Sequence, residues 1–159
     1  MRTQAGLAAE AYEARRGTYW ITTDATRFDL EVIHGYLRRS YWAEGVPRAI
    51  VERSIRNALG FGLFERERQI GFARVISDRA TFAYLADVFV LESHRGRGLA
   101  SWLMRVVMAH PALQGLRRWS LVTRDAHGLY AKSGFAALAI PERHMEIVRA
   151  DLYKQEMSS

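Results

Sequence analysis

No cysteine occurs anywhere in the 159 residues. Disulfides, thiolate metal sites and a covalent cysteine nucleophile are therefore excluded. Long apolar runs are also missing: none approaches the roughly 20 residues that cross a bilayer, and arginines interrupt each candidate, as Arg105 divides WLMRVVM. The Ala-rich start carries glutamates where a signal peptide needs an unbroken apolar core, so a cytoplasmic protein is expected. No repeat, low-complexity tract or Pro/Gly/Ser-rich linker divides the chain, which predicts one domain over residues 18–150 between flexible tails at 1–17 and 151–159. His34, His94, His110, His127 and His144 are scattered without metal-ligand spacing, and no metal site is implied.

What is present is an ordinary globular composition, 49% hydrophobic, with a net charge of +6 that comes mainly from arginine. Such a balance favours anionic ligands, whether nucleic acid, a phosphorylated cofactor or an acidic surface. TYWITT has the aromatic and β-branched content of a strand. Phe28, Val32, Ile33, Tyr36 and Leu37 then follow helical spacing. A second helix is expected after Pro47, with Ile50, Val51, Ile55 and Leu59 on one face and Gly60 as its stop. FGLFER, QIGFARVIS and TFAYLADVFVL predict an antiparallel meander, and Leu99, Leu103, Val106, Val107 and His110 mark one face of a helix ended by Pro111. RRWSLVT reads as a strand, DAHGLYAKSG as a short helix and HMEIVRA as a last strand. The order β-α-α-β-β-β-α-β-α-β predicts an α/β fold of the mixed α+β kind: a central, mixed, largely antiparallel sheet with helices on both faces.

One stretch is chemically pointed. Arg95-Gly96-Arg97-Gly98 lies between an apolar strand and an amphipathic helix. A helix start leaves backbone N–H groups converging on one spot, glycines permit close approach, and arginines add charge-assisted hydrogen bonds; pyrophosphate is the natural guest. A nucleoside-triphosphate P-loop would need a lysine after Gly98, and none follows. A dinucleotide fingerprint would need a third glycine where Ser101 stands, and too little chain follows for the doubly wound sheet.

RGRGLA fits the pattern [QR]-x-x-G-x-[GA], with Arg95 first, Gly98 fourth and Ala100 last. With DVFV before it and LYAKSGF after it, which matches Y-x-x-x-G-F through Tyr130, Gly134 and Phe135, the chain resembles the GCN5-related N-acetyltransferases (GNAT) over residues 18–150. It departs from many relatives in having Thr123 where an asparagine is common and Glu92 where a proline is common.

The resemblance implies acetyl-CoA as acetyl donor, with no metal. It places the pyrophosphate on the backbone of Gly96, Arg97, Gly98, Leu99, Ala100 and Ser101, with Arg95 and Lys132 adding charge, and the pantetheine arm along Val88, Phe89 and Val90. A backbone N–H near Val90 would meet the oxyanion. Tyr130 would sit near the sulfur as a catalytic acid, or be a core aromatic. Asp87, a carboxylate among apolar neighbours, is costly unless paired or useful; it meets the incoming cationic amine, or it bonds a nearby loop or Trp119. Tyr41, Trp42 and Glu44 line an acceptor pocket, or pack the helix pair. His127 assists a proton relay, or is a solvated helix position. The implied function is direct transfer to a primary amine, whether small amine, polyamine or lysine side chain, in a ternary complex; the rival is a catalytically silent acyl-CoA-binding regulatory module. No membrane partner is expected, RRW and RGR lack the aromatic interleaving of a nucleic-acid reader, and the fold's edge strands leave a homodimer open by analogy.

Overall fold

Gly17, at φ 61°, turns the chain between β1 (Glu13–Arg16) and β2 (Tyr19–Thr22) in the computed structural model, which describes residues 10–156. The expected flexible tail to residue 17 is thus corrected: Glu13–Arg16 forms an edge strand, antiparallel to β2. Residues 1–9 and 157–159, the outer parts of the two expected tails, lie outside the described residues. Asp29 then caps α1 (Leu30–Leu37), its carboxylate accepting from the Glu31 and Val32 amides. Pro47 leads into α2 (Arg48–Arg56).

Gly60 does not stop that helix. It lies inside β3 (Leu59–Glu65), where the Phe28 ring lies so close that a Cβ would come within 2.6 Å of it. β4 (Arg68–Ser77) and β5 (Phe82–Val90) complete the meander. α3 (Leu99–Ala109) crosses to β6 (Arg118–Ser120), which runs parallel to β5, and α4 (His127–Ala131) and α5 (Leu152–Glu156) follow. The sheet order is β1-β2-β3-β4-β5-β6, mixed and largely antiparallel.

Helices cover both faces, each over its own apolar cluster. Leu99, Leu103, Val106 and Val107 of α3 pack on Phe61, Leu63, Val75 and Leu85. Ile33, Leu37 and Val51 of α1 and α2 pack on Phe72 and Phe89. At roughly 1.5–3 kcal/mol for each large apolar side chain buried, these two layers dominate the stability. No helix among the described residues is long and apolar enough to cross a membrane.

β5 changes phase halfway. Arg74 pairs with Ala86 but Phe72 pairs with Phe89, so two residues, Asp87 and Val88, oppose Ala73 alone. Asp87 adopts φ 54°, the left-handed conformation of a bulge. Ala83 and Leu85 face α3 before the bulge, whereas Val88 and Val90 do so after it and Phe89 turns to α1. β6 pairs only with Phe82–Tyr84, upstream of the bulge, and beyond that point the two strands are not hydrogen-bonded.

The expected last strand at 144–150 does not form. These residues join no ladder, and Met145 and Ile147 are 98% and 93% exposed. β6 spans only three residues and offers them little edge to join. The chain instead continues to α5, where Tyr153 packs on the α1–α2 cluster and Lys154 approaches Glu44 at 3.5 Å.

Candidate functional site

Where β5 and β6 stop pairing, a cleft of about 1110 Å³ opens. One end is the head of α3. Gly96 and Gly98 have φ of 79° and 73°, which L side chains rarely adopt, and a Cβ on either would meet nothing within 4 Å. Gly98 supplies no side-chain cap, and no amide from Gly96 to Ser101 finds an acceptor among the described residues. The head of α3 is therefore a row of free donors carrying the positive end of the helix dipole.

β5 lines the middle. The Leu91 amide donates to Ile70 on the β4 side, so strand alternation turns the N–H and C=O of Val90, and likewise of Val88, toward the cleft. The Val90 carbonyl accepts from Arg95 Nε at 3.1 Å, and Arg95 reaches Tyr36 Oη at 2.8 Å. Tyr36 stacks on Phe89 with ring centroids 4.0 Å apart. Beneath the loop, His94 Nε2 lies 2.7 Å from Glu65 Oε2 and its Nδ1 lies 2.8 Å from Ser93 Oγ. Glu92, in the position where relatives often have proline, pairs with Arg39 at 2.6 Å and is held down to about 2 by that hydrogen bond.

Tyr130, from α4, is 9% exposed and reaches the cleft wall. Burial chiefly, then Tyr41 and Asp125, push its hydroxyl up to about 12. It is a protonated phenol at neutral pH. Thr123 Oγ1 accepts from the Ala126 amide, which sets the turn into α4.

The other end is built around Asp87. Its Oδ2 accepts from Arg74 Nε at 2.8 Å and its Oδ1 from Trp42 Nε1 at 3.0 Å. Asp87 thus lines the cleft with its carboxylate already facing a cation and a second donor, and the loop partner it finds is Trp42 and not Trp119. Trp42 and Tyr41 line the cleft as expected. Tyr41 also joins the two rims, since its hydroxyl accepts from the Arg124 amide at 3.0 Å and the Arg124 guanidinium lies 3.9 Å from its ring centroid.

Four expected residues stand elsewhere. Glu44 is drawn to Lys154 and does not line the cleft. Arg97 turns to Tyr19 Oη at 2.8 Å, Lys132 borders a separate small hollow with Ser101, and His127 is exposed on α4. Arg74, Tyr84, Glu146 and Tyr153, which sequence patterns left unmarked, do line it. Arg74 carried a signal, a charge amid the apolar run QIGFARVIS.

The chain matches the sequence profile of the acetyltransferase (GNAT) domain over residues 56–137. A Gibberella zeae protein described as a candidate acetyltransferase is 30% identical over 141 residues, covering 74% of this chain and 78% of that protein. A crystal structure of a candidate GNAT-family acetyltransferase from Xanthomonas campestris pv. campestris is 53% identical, covers 85% of this chain and 96% of that one, and superposes with a TM-score of 0.83. At 14% identity, a Clostridium acetobutylicum protein described as a candidate acetyltransferase and crystallised with acetyl-CoA shares the fold, with a TM-score of 0.58 over 87% of this chain and 95% of that one. A row of free amides, a cleft opened by a bulged strand and a protonated phenol thus occur on a chain that belongs to the GNAT family of acetyltransferases.

Proposed function

We propose that the protein transfers the acetyl group of acetyl-CoA directly to a primary amine in a ternary complex. The observation that carries this reading is the run of unpaired amides from Gly96 to Ser101, opening into the same cleft as Tyr130. Converging N–H groups at a helix start suit a pyrophosphate, and Arg95 adds a cation beside them. The cleft-facing backbone of Val88 and Val90 suits an extended pantetheine arm, received as a peptide is received at a sheet edge. The acetyl-CoA bound by the Clostridium acetobutylicum structure supports the same donor here.

The chemistry then needs little from side chains. A free amine nitrogen bonds to the thioester carbonyl carbon as the carbon–sulfur bond breaks. A backbone N–H of Val88 or Val90 stabilises the charge that develops on the carbonyl oxygen. Tyr130 gives its phenolic proton to the departing sulfur and regains one from solvent, which takes up the proton that the amine releases. With no cysteine in the chain, the commonest acyl-enzyme route is closed.

Calorimetric titration with acetyl-CoA, with ATP and NAD in the same buffer, tests the first half of this reading. Acetyl-CoA alone is expected to bind, with an affinity on the order of micromolar. Thiol release with a panel of amines tests the second half. Absence of acetyl-CoA binding would remove the assignment of the glycine loop.

A further inference from the structure

Arg74 is the part of the cleft that a purely cationic acceptor would leave unmatched. It projects from β4 between Phe72 and Ile76, and its side chain is only 15% exposed. Nε alone is engaged, on Asp87. The terminal guanidinium nitrogens have no acceptor among the described residues, and the side chain lines the cleft. No buried side-chain nitrogen or oxygen among the described residues lacks a partner, so these nitrogens are open to the cleft, and a ligand that displaces water from them must answer them in its place. Those terminal nitrogens form a planar fork that fits the two oxygens of a carboxylate. Asp87, itself held by Trp42, fixes the plane of that fork.

The remaining charges agree. Asp87 and Glu44, the carboxylates that would draw a polyamine, already face Arg74 and Lys154. Glu146 lies on the extended segment at the same end of the cleft and has no hydrogen bond or ion pair among the described residues. Its charge is felt at Tyr84, whose hydroxyl is pushed up by burial first, then by Asp87, with Glu146 a smaller cause. Trp42, Tyr84 and Tyr153 add aromatic walls, whose faces attract an ammonium. A small molecule with both charges would match this end of the cleft. A polyamine, or a lysine side chain on a protein, would bury the fork without answering it.

We infer that the acceptor is an amino acid, its carboxylate held by Arg74 and its ammonium drawn in by Glu146, an inference that rests on the acetyl-transfer reading above. The test is thiol release from acetyl-CoA with each proteinogenic amino acid set beside its decarboxylated amine and its methyl ester, and with spermidine and a lysine peptide for comparison. At least one amino acid should exceed both its amine and its ester in kcat/KM by about ten- to a hundredfold, the span expected of charge-assisted hydrogen bonds. Arg74→Lys keeps the cation beside Asp87 but loses the fork, and should bring that ratio toward parity. Glu146→Gln should raise KM for acid and amine alike and leave the ratio where it was. Amines or esters handled as well as the acids would overturn the inference, as would no acid turned over at all. Acetyl-CoA titration of the same preparation separates the two levels: binding without acid preference removes this inference alone, and absence of binding removes the acetyl-transfer reading too. If Arg74→Lys does not fold, the comparison of acid, amine and ester on the unaltered protein still decides.

Discussion

Arg74 Nε and Asp87 Oδ2 stand 2.8 Å apart beside the point where β5 carries one residue more than β4. The left-handed backbone at Asp87 costs about 1–2 kcal/mol for most residues, and aspartate is among those that tolerate it best. The ion pair therefore does two things at once. It compensates a carboxylate and an arginine that are both largely withdrawn from water, and it ties the bulge to the neighbouring strand.

Tyr130→Phe separates an enzyme from a silent acyl-CoA-binding module. Loss of a positioned acid should lower kcat by about 10²-fold or more, while acetyl-CoA affinity measured by calorimetry stays near its original value. In the unaltered protein, the hydroxyl held up at about 12 stays protonated as pH rises past neutrality, so no descending limb from Tyr130 should appear below about pH 11. Unchanged turnover in Tyr130→Phe would count against the acid role.

Gly98→Ala places a Cβ on a φ of 73° at the N-cap of α3. No neighbour obstructs it, so strain alone should cost about 1 kcal/mol and lower Tm by about 2–4 °C. The amides at the head of α3 must shift to relieve it, and acetyl-CoA affinity should fall with them. A variant that binds acetyl-CoA normally would place the anion site elsewhere.

Gly60→Ala tests packing rather than chemistry. Its Cβ would lie 2.6 Å from Phe28 Cε2, so the ring must move from its place on β3. A loss of about 1–3 kcal/mol is expected, the range for an overfilled core. Denaturant unfolding would read it, and Phe28→Leu in the same chain should recover part of the loss.

Acid should weaken the fold through more than one group. Glu92 is held down to about 2 by Arg39, so its contribution is complete above the ordinary carboxylate pKa of about 4.3 and disappears as pH falls toward 2. Both partners are about half exposed, which limits the effect to under about 1 kcal/mol. His110 is lowered by burial first and then by Arg79, so its part is complete above about pH 6.5 and declines below that. Chemical denaturation between pH 7 and pH 3 should show the loss in the two windows. Glu92→Gln should shrink only the lower one, to which Glu65, Asp24 and Asp78, also held below the ordinary carboxylate range by their hydrogen bonds, contribute as well.

The glycine-loop end of the cleft could be read in sequence because it is local: Gly96, Gly98 and the first turn of α3 are consecutive, and their backbone groups need no distant partner. Tyr130 could be read for the same reason, through its fixed spacing to Gly134 and Phe135. The acceptor end depends on contacts between elements far apart in the chain. Trp42 meets Asp87 across 45 positions, and Glu146 and Tyr153 reach the cleft only because the segment from residue 144 joins no ladder. Alternating apolar residues in HMEIVRA satisfy the pattern of a strand, but pattern cannot supply the partner edge that a strand needs. Glu13–Arg16 errs the other way, a polar stretch made into a strand by pairing with β2 and by the Thr23 amide bonding the Tyr12 carbonyl.

The extra residue in β5 also sets a limit on how this chain can vary. On either side of Asp87 the strand obeys opposite parities, with Ala83 and Leu85 facing α3 before it and Val88 and Val90 after it, so the bulge takes up one residue while both halves of the strand keep the same layers. A chain one residue shorter there would run an unbroken ladder along β4 and would lose the left-handed residue whose carboxylate meets Arg74 and Trp42. Substitutions can tune this end of the cleft, but a change of length at its centre would remove the carboxylate around which it is built.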